Sequence, residues 1–220
     1  MCNLYAQTSS QDEIRAIAEI LNDHTGNLPL MPDIYPDYAA PIVRHGQNGR
    51  EMVLARWGMP SPAFALKGRK VDRGVTNIRN TASPHWRRWL GASQRCVVPF
   101  TAFSEQARQD DGSFHPVWFA ADATKPLRFF AGIWTSWTSV RKLKEGEVTT
   151  DLFGFLTTEA NGVVAPYHPK AMPVILESRE EIETWLTAPT PIALQLQRPL
   201  QKSSLAVLRP DERSSSPSFL

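Results

Sequence analysis

A chain of 220 residues, 42% hydrophobic, is long enough to bury a full core and short enough to form one domain, expected over residues 1–210. Its start, MCNLYAQTSSQDE, lacks the basic patch and apolar run of a secretion signal, and no uncharged stretch approaches the roughly 18 apolar residues of a membrane helix; the expectation is a soluble, cytoplasmic protein with no membrane partner. Cys2 and Cys96 are too few for a disulfide framework and stand in no CxxC or Cys/His spacing, so neither metal nor any other cofactor is expected.

The formal charge of +2 hides an asymmetry. Residues 67–95 hold eight basic residues (Lys67, Arg69, Lys70, Arg73, Arg79, Arg87, Arg88 and Arg95) against one acid, Asp72; this segment is +7 and the rest of the chain −5. Such a field suits a polyanion, although a run of charge is also the ordinary form of a solvated face.

In chain order, Cys2–Tyr5 reads as a short strand that places the N-terminus inside the fold. Ser10 with Glu13 forms a capping box, and Ile14, Ile17, Ala18 and Leu21 recur at helical spacing until Asn22 and Gly26 close the segment. Leu28 to Ile42, rich in Pro, Asp and Tyr, reads as a loop covering surface. Met52–Trp57 follows as a strand. Ser83 and Pro84 cap a short helix over His85–Leu90 that Gly91 stops. Five runs, Cys96–Pro99, Val117–Ala120, Arg128–Trp134, Leu152–Thr157 and Met172–Leu176, are rich in β-branched or aromatic residues and read as strands. Ser178 with Glu181 starts a last helix through Trp185 and Leu186, Leu205–Leu208 is one more strand, and residues 211–220 read as a disordered tail. Strands that outnumber helices without alternating with them indicate an α+β fold with a mostly antiparallel, barrel-like sheet and flanking helices.

Cys2 is the residue with the most distinctive chemistry. Loss of the initiator Met leaves an amine titrating near ~8 and a thiol near ~8.5 on adjacent carbons. Aldehydes are the natural target of such a pair: the amine forms a Schiff base and the thiol closes a five-membered thiazolidine on the same carbon. A lone cysteine is also commonly a small buried core residue, and Cys2 alone does not separate the two readings.

The separation comes from five motifs: MCNLY at the start, RWGMP at 56–60, TNIRNTA at 76–82, RCVVPFTAFSE at 95–105 and YHPKAMPVIL at 167–176. In order and spacing they resemble the SOS-response-associated peptidase family, the SRAP domain proteins that process abasic sites. The resemblance implies a compact α+β fold whose N-terminal cysteine forms a thiazolidine with the ring-opened abasic sugar of single-stranded DNA. Carried over position by position, it implies Cys2 as nucleophile, Asn77 as a group orienting the N-terminal amine or the sugar, Glu105 as proton acceptor and His168 as the acid that opens the sugar. Arg79 would bind phosphate and Thr157 would line the pocket; Arg73, Arg87, Arg88 and Lys170 are further candidates for DNA contact. The expected partner is single-stranded DNA containing abasic sites, with the protein nucleoid-associated when bound.

The chain departs from the family pattern in several places. Leu4 stands where members often have Arg, and Gln106 where they usually have Trp. After the WG motif a pair of aromatic residues is common, whereas this chain has Ala63 and Phe64, so Phe64 reads equally as base wedge or core residue. Ala171 occupies a position where Arg commonly sits. Two alternatives to covalent capture remain open at this stage: a cysteine-type, self-processing peptidase acting through Cys2 and His168, and a noncovalent binder of single-stranded or modified DNA.

Overall fold

The computed structural model describes residues 2–108 and 111–214. The chain opens with β1 (Leu4–Gln7), and Ser10 then caps α1 (Gln11–Ala18) by accepting from the Glu13 amide at 3.1 Å. The helix ends sooner than the periodicity predicts because Glu19 takes a left-handed conformation (φ 53°) and its N–H closes on the Arg15 carbonyl; Leu21 falls outside the helix and is exposed.

β2 (Asn22–Asp23), β3 (Met31–Ile34), β4 (Ala39–Gly46) and β5 (Gly49–Trp57) follow. The expected loop at 28–42 is therefore largely strand. Its prolines do not forbid this: Pro32 sits on an edge strand, and Pro41 lies where β4 pairs with β5 alone, β7 joining only at Val43 and Arg44.

Next come α2 (Ala63–Leu66), β6 (Asn77–Ile78) and α3 (Pro84–Arg87), the last capped by Ser83 as expected but shorter, with Arg88 as its C-cap. The chain continues through β7 (Arg95–Phe100), β8 (Ala102–Arg108), β9 (Phe114–Ala120), β10 (Arg128–Val140), β11 (Glu147–Thr158), β12 (Met172–Pro173) and β13 (Ile175–Leu176). It closes with α4 (Arg179–Thr187), α5 (Thr190–Ala193), β14 (Ala206–Val207) and α6 (Pro210–Ser214). The expected disorder beyond Pro210 does not hold for 211–214. There Arg213 bonds the Pro32 carbonyl and Asp33 and lies over the Trp118 ring, which anchors the segment. Residues 215–220 lie outside the described residues.

Five strands in the order β11-β10-β7-β4-β5 close into a barrel. The closing seam is parallel, β5 meeting β11 at Arg56↔Leu152 and Trp57↔Phe153. A second sheet, β14-β9-β8-β1-β3, branches from the barrel at a single residue: Thr101 separates β7 from β8, and its N–H donates to the Ala6 carbonyl. The two sheets share one aromatic cluster, in which the Tyr5 ring is set edge-on to Trp57, Phe130 and Phe155. On the opposite flank α1 and α4 cover the barrel, and the indole N–H of Trp185 donates to the Cys96 and Gly132 carbonyls at 2.9 and 3.1 Å. The fold is thus α+β around a closed, mostly antiparallel barrel, and no helix among the described residues is long and apolar enough to cross a membrane.

Candidate functional site

The site gathers where the second sheet meets the end of the barrel. β1 pairs with β8 through Leu4↔Ser104 and Tyr5↔Phe103, which carries Cys2 past the strand's beginning and into the junction. There Cys2 is fully buried in the aromatic cluster, its thiol directed to the Leu4 carbonyl at 3.5 Å. The sequence alone leaves a reactive and a buried Cys2 equally open. Burial follows from the pairing, since the chain enters the sheet only two residues later.

Asn77 reaches the same point from another element. β6 runs parallel to β11 with Asn77 opposite Phe155, and its Nδ2 donates to the Cys2 carbonyl at 2.8 Å and to Thr76 Oγ1 at 2.8 Å. Its Oδ1 is buried without a hydrogen-bond partner among the described residues. An amide oxygen in that position is an acceptor in reserve, because leaving it unpaired costs about 1–3 kcal/mol. Thr157 lies two residues beyond Phe155 on β11, hence on the same face of that strand, and is buried.

Glu105 sits on β8 at 1% exposure, its carboxylate 3.9 Å from His168 Nδ1. Burial pushes the Glu105 carboxyl up to about 7. His168 stands on the turn built by its own N–H and that of Tyr167 on the Val164 carbonyl. Burial, reinforced by the charge of Lys170, holds its imidazole below the ordinary histidine range. Burial thus raises the acid and lowers the base, which weakens charge pairing between them and leaves the Glu105 carboxyl able to bind or release a proton near neutral pH. The Cys2 thiol is driven well above its ordinary range, first by burial and then by the neighbouring Glu105 charge, with the Leu4 carbonyl contact opposing.

The remaining candidates divide. Arg79 donates to the carbonyls of Thr158 and Lys170 and has Glu159 at 4.0 Å, so it clamps the end of β11 to the turn bearing His168; about half of its side chain stays exposed. Lys170 contributes its carbonyl to this clamp and its charge to the surroundings of His168. Arg73 lines a cleft of about 600 Å³ with Asn3, Leu4, Tyr35, Thr76, Ser104 and Gln106. Ser104 and Gln106 alternate with Glu105 on β8, so this cleft lies across the strand from the buried carboxylate. Phe64 is 84% exposed on α2, which excludes the core reading. Arg87 and Arg88 are exposed on and after α3, and neither is among the residues lining the cleft.

Sequence reasoning missed Arg141. Its guanidinium is buried between two glycine turns, donating to the carbonyls of Gly58 and Arg73 at 3.1 Å each and to Asp37 at 3.2 Å. Gly58 (φ 142°) and Gly74 (φ 75°) admit it because a Cβ on either would meet a guanidinium nitrogen at 2.4–2.5 Å. It fixes the loop that carries Arg73 toward Asn77, yet nothing in RKLKEGE marks it off from a solvated turn. No group of three His, Cys, Asp or Glu side chains suited to a metal ion occurs among the described residues.

Comparison with known proteins agrees with this architecture. The family model described as SOS response associated peptidase (SRAP) matches residues 1–212. A solved protein from Bordetella bronchiseptica is 25% identical with a TM-score of 0.71, the match covering 94% of this chain and 100% of that one. A protein from Bacteroides thetaiotaomicron (20% identity, TM-score 0.68, 97% and 96% covered) and a phage-related protein from Bordetella bronchiseptica (20%, 0.66, 94% and 94%) share the fold. No curated protein matches the chain.

Proposed function

Because the chain belongs to the SOS response associated peptidase family, we propose that, once Met1 is removed, its Cys2 captures the aldehyde of an abasic site in single-stranded DNA as a thiazolidine. The observation that carries this reading is the convergence of Asn77, Glu105 and His168 on the first residues of the chain, from three elements far apart in sequence.

The order of events follows from the electrostatics. A buried thiol held protonated is a poor first nucleophile, so the amine attacks the aldehyde carbon and the imine forms with loss of water. Glu105, pushed up to about 7, takes the amine proton needed to start, and His168 returns a proton to the departing oxygen. The thiol sulfur then adds to the imine carbon while its proton passes to the nitrogen, closing the ring. Asn77 supports both stages, steadying the Cys2 carbonyl and offering Oδ1 to the amine or to a sugar hydroxyl.

The test is incubation with a single-stranded oligonucleotide carrying one abasic site. A heat-stable adduct is expected from protein whose intact mass shows Met1 removed, and none from Cys2→Ala or from an undamaged strand. Equal noncovalent binding of damaged and undamaged strands, with no adduct, overturns the reading in favour of a simple binder. Turnover of unrelated peptides overturns it in favour of a peptidase.

A further inference from the structure

The segment SPHWRRW holds charge and aromatic surface outside the residues that line the cleft at Arg73. Arg88 Nε donates to the His85 carbonyl at 3.1 Å, and its guanidinium lies 4.8 Å over the Trp89 ring. Trp89 in turn meets Trp137 edge-on at 6.1 Å. Trp89 is buried, but Trp137 is 38% exposed. It projects from the part of β10 that has left the barrel: pairing with β7 stops at Ile133, and from Thr135 onward β10 pairs only with β11.

We propose that α3 and this outer stretch of β10 form a second contact for single-stranded DNA, gripping the strand beyond the lesion with Trp137 as a base-stacking platform and Arg87 and Arg88 on phosphates. The proposal rests on the DNA reading above. Its support is charge complementarity and continuity. The sole acid of residues 67–95, Asp72, is buried, its oxygens accepting from Ser61 and the Gly74 N–H, whereas Arg87 and Arg88 are exposed, so the surface of this segment is basic. The basic loop before Arg73 is bracketed by the same two elements: His85 Nε2 donates to the Pro60 carbonyl at 2.9 Å, and the Asp72 N–H donates to the Val140 carbonyl at 2.9 Å. A strand leaving the cleft at Arg73 thus has a basic route to an exposed indole, the combination by which single strands are held without regard to sequence.

The experiment compares strands of about 7 and about 25 nucleotides, each with and without a central abasic site, by anisotropy for binding and by gel for the adduct. Wild type is expected to bind the long strand more tightly. Trp137→Ala should lose about tenfold affinity for the long undamaged strand, keep its affinity for the short one, and form the short-strand adduct at the wild-type rate. Trp137→Phe should retain most of the affinity. Arg87→Gln and Arg88→Gln, both at exposed positions, should each flatten the log–log salt dependence on the long strand by about 0.7. Equal losses on both lengths, or no loss on the long strand, overturn the proposal. If wild type makes no adduct with any strand while Trp137→Ala still weakens long-strand binding, covalent capture fails and this surface stands.

Discussion

The chain has two buried cysteines, and the regions around them differ in kind. Cys96 sits in the barrel wall, its carbonyl tied to Trp185 and its sulfur so close to Gly132 that a Cβ there would lie 2.9 Å away. Cys2 sits at the barrel's end among an amide, a carboxyl and an imidazole. Burial pushes both thiols up; the Arg44 charge opposes this at Cys96, whereas Glu105 adds to it at Cys2. Burial by itself therefore makes a thiol inert in either place. The difference lies in which titratable neighbours surround each sulfur, and in the amine that removal of Met1 would expose at Cys2.

The largest expected effect contrasts the two directly. Cys2→Ala should abolish the abasic-DNA adduct in mass spectrometry, whereas Cys96→Ser should keep it and instead lower stability by about 1–3 kcal/mol in urea unfolding, the cost of a hydroxyl in an apolar wall. An adduct surviving in Cys2→Ala would erase the distinction.

Next in size is Glu105→Gln, expected to slow adduct formation by about 10²-fold or more with DNA affinity largely retained. In wild type the rate should climb as pH rises through about 7, where Glu105 becomes a base, and the variant should lack this limb. Stability has the opposite sign. A carboxyl whose pKa is raised on folding favours the folded state at pH values below its ordinary range, and that contribution is lost as pH rises through about 7. Thermal melts should show Glu105→Gln gaining on wild type between pH 5 and pH 8; parallel curves would show that the carboxyl is not held up by burial.

Asn77→Ala removes the bond to the Cys2 carbonyl and the reserve acceptor together, and is expected to slow adduct formation about tenfold. The smallest effect belongs to a helix cap: Ser10→Ala should cost about 1 kcal/mol in urea unfolding through loss of the α1 cap and leave the adduct rate unchanged.

How much was legible in advance varies with the range of the interaction. Ser10 with Glu13 and Ser178 with Glu181 were readable because a cap is a bond between residues three apart. β3 and the start of β4 were hidden behind prolines, and β8 behind polar residues, because those segments are strands on account of their partners. Cys2, Asn77, Glu105 and His168 were named from the order and spacing of short motifs, and no sequence feature set their mutual geometry. Phe64 shows the limit most plainly, since an aromatic residue on a four-residue helix has the same letter whether it faces core or solvent.

Taken alone, the sequence determined the local bonds, the α+β class, the basic segment and the presence of a cysteine at position 2, all of which depend on neighbours a few residues apart or on composition. Only the tertiary structure decided that Cys2 is buried, that Glu105 is held near neutrality and that Arg141 is a clamp. Each of these depends on what surrounds a side chain after distant strands have paired, because the cost of charge in a low-dielectric interior is a property of the surroundings and not of the residue.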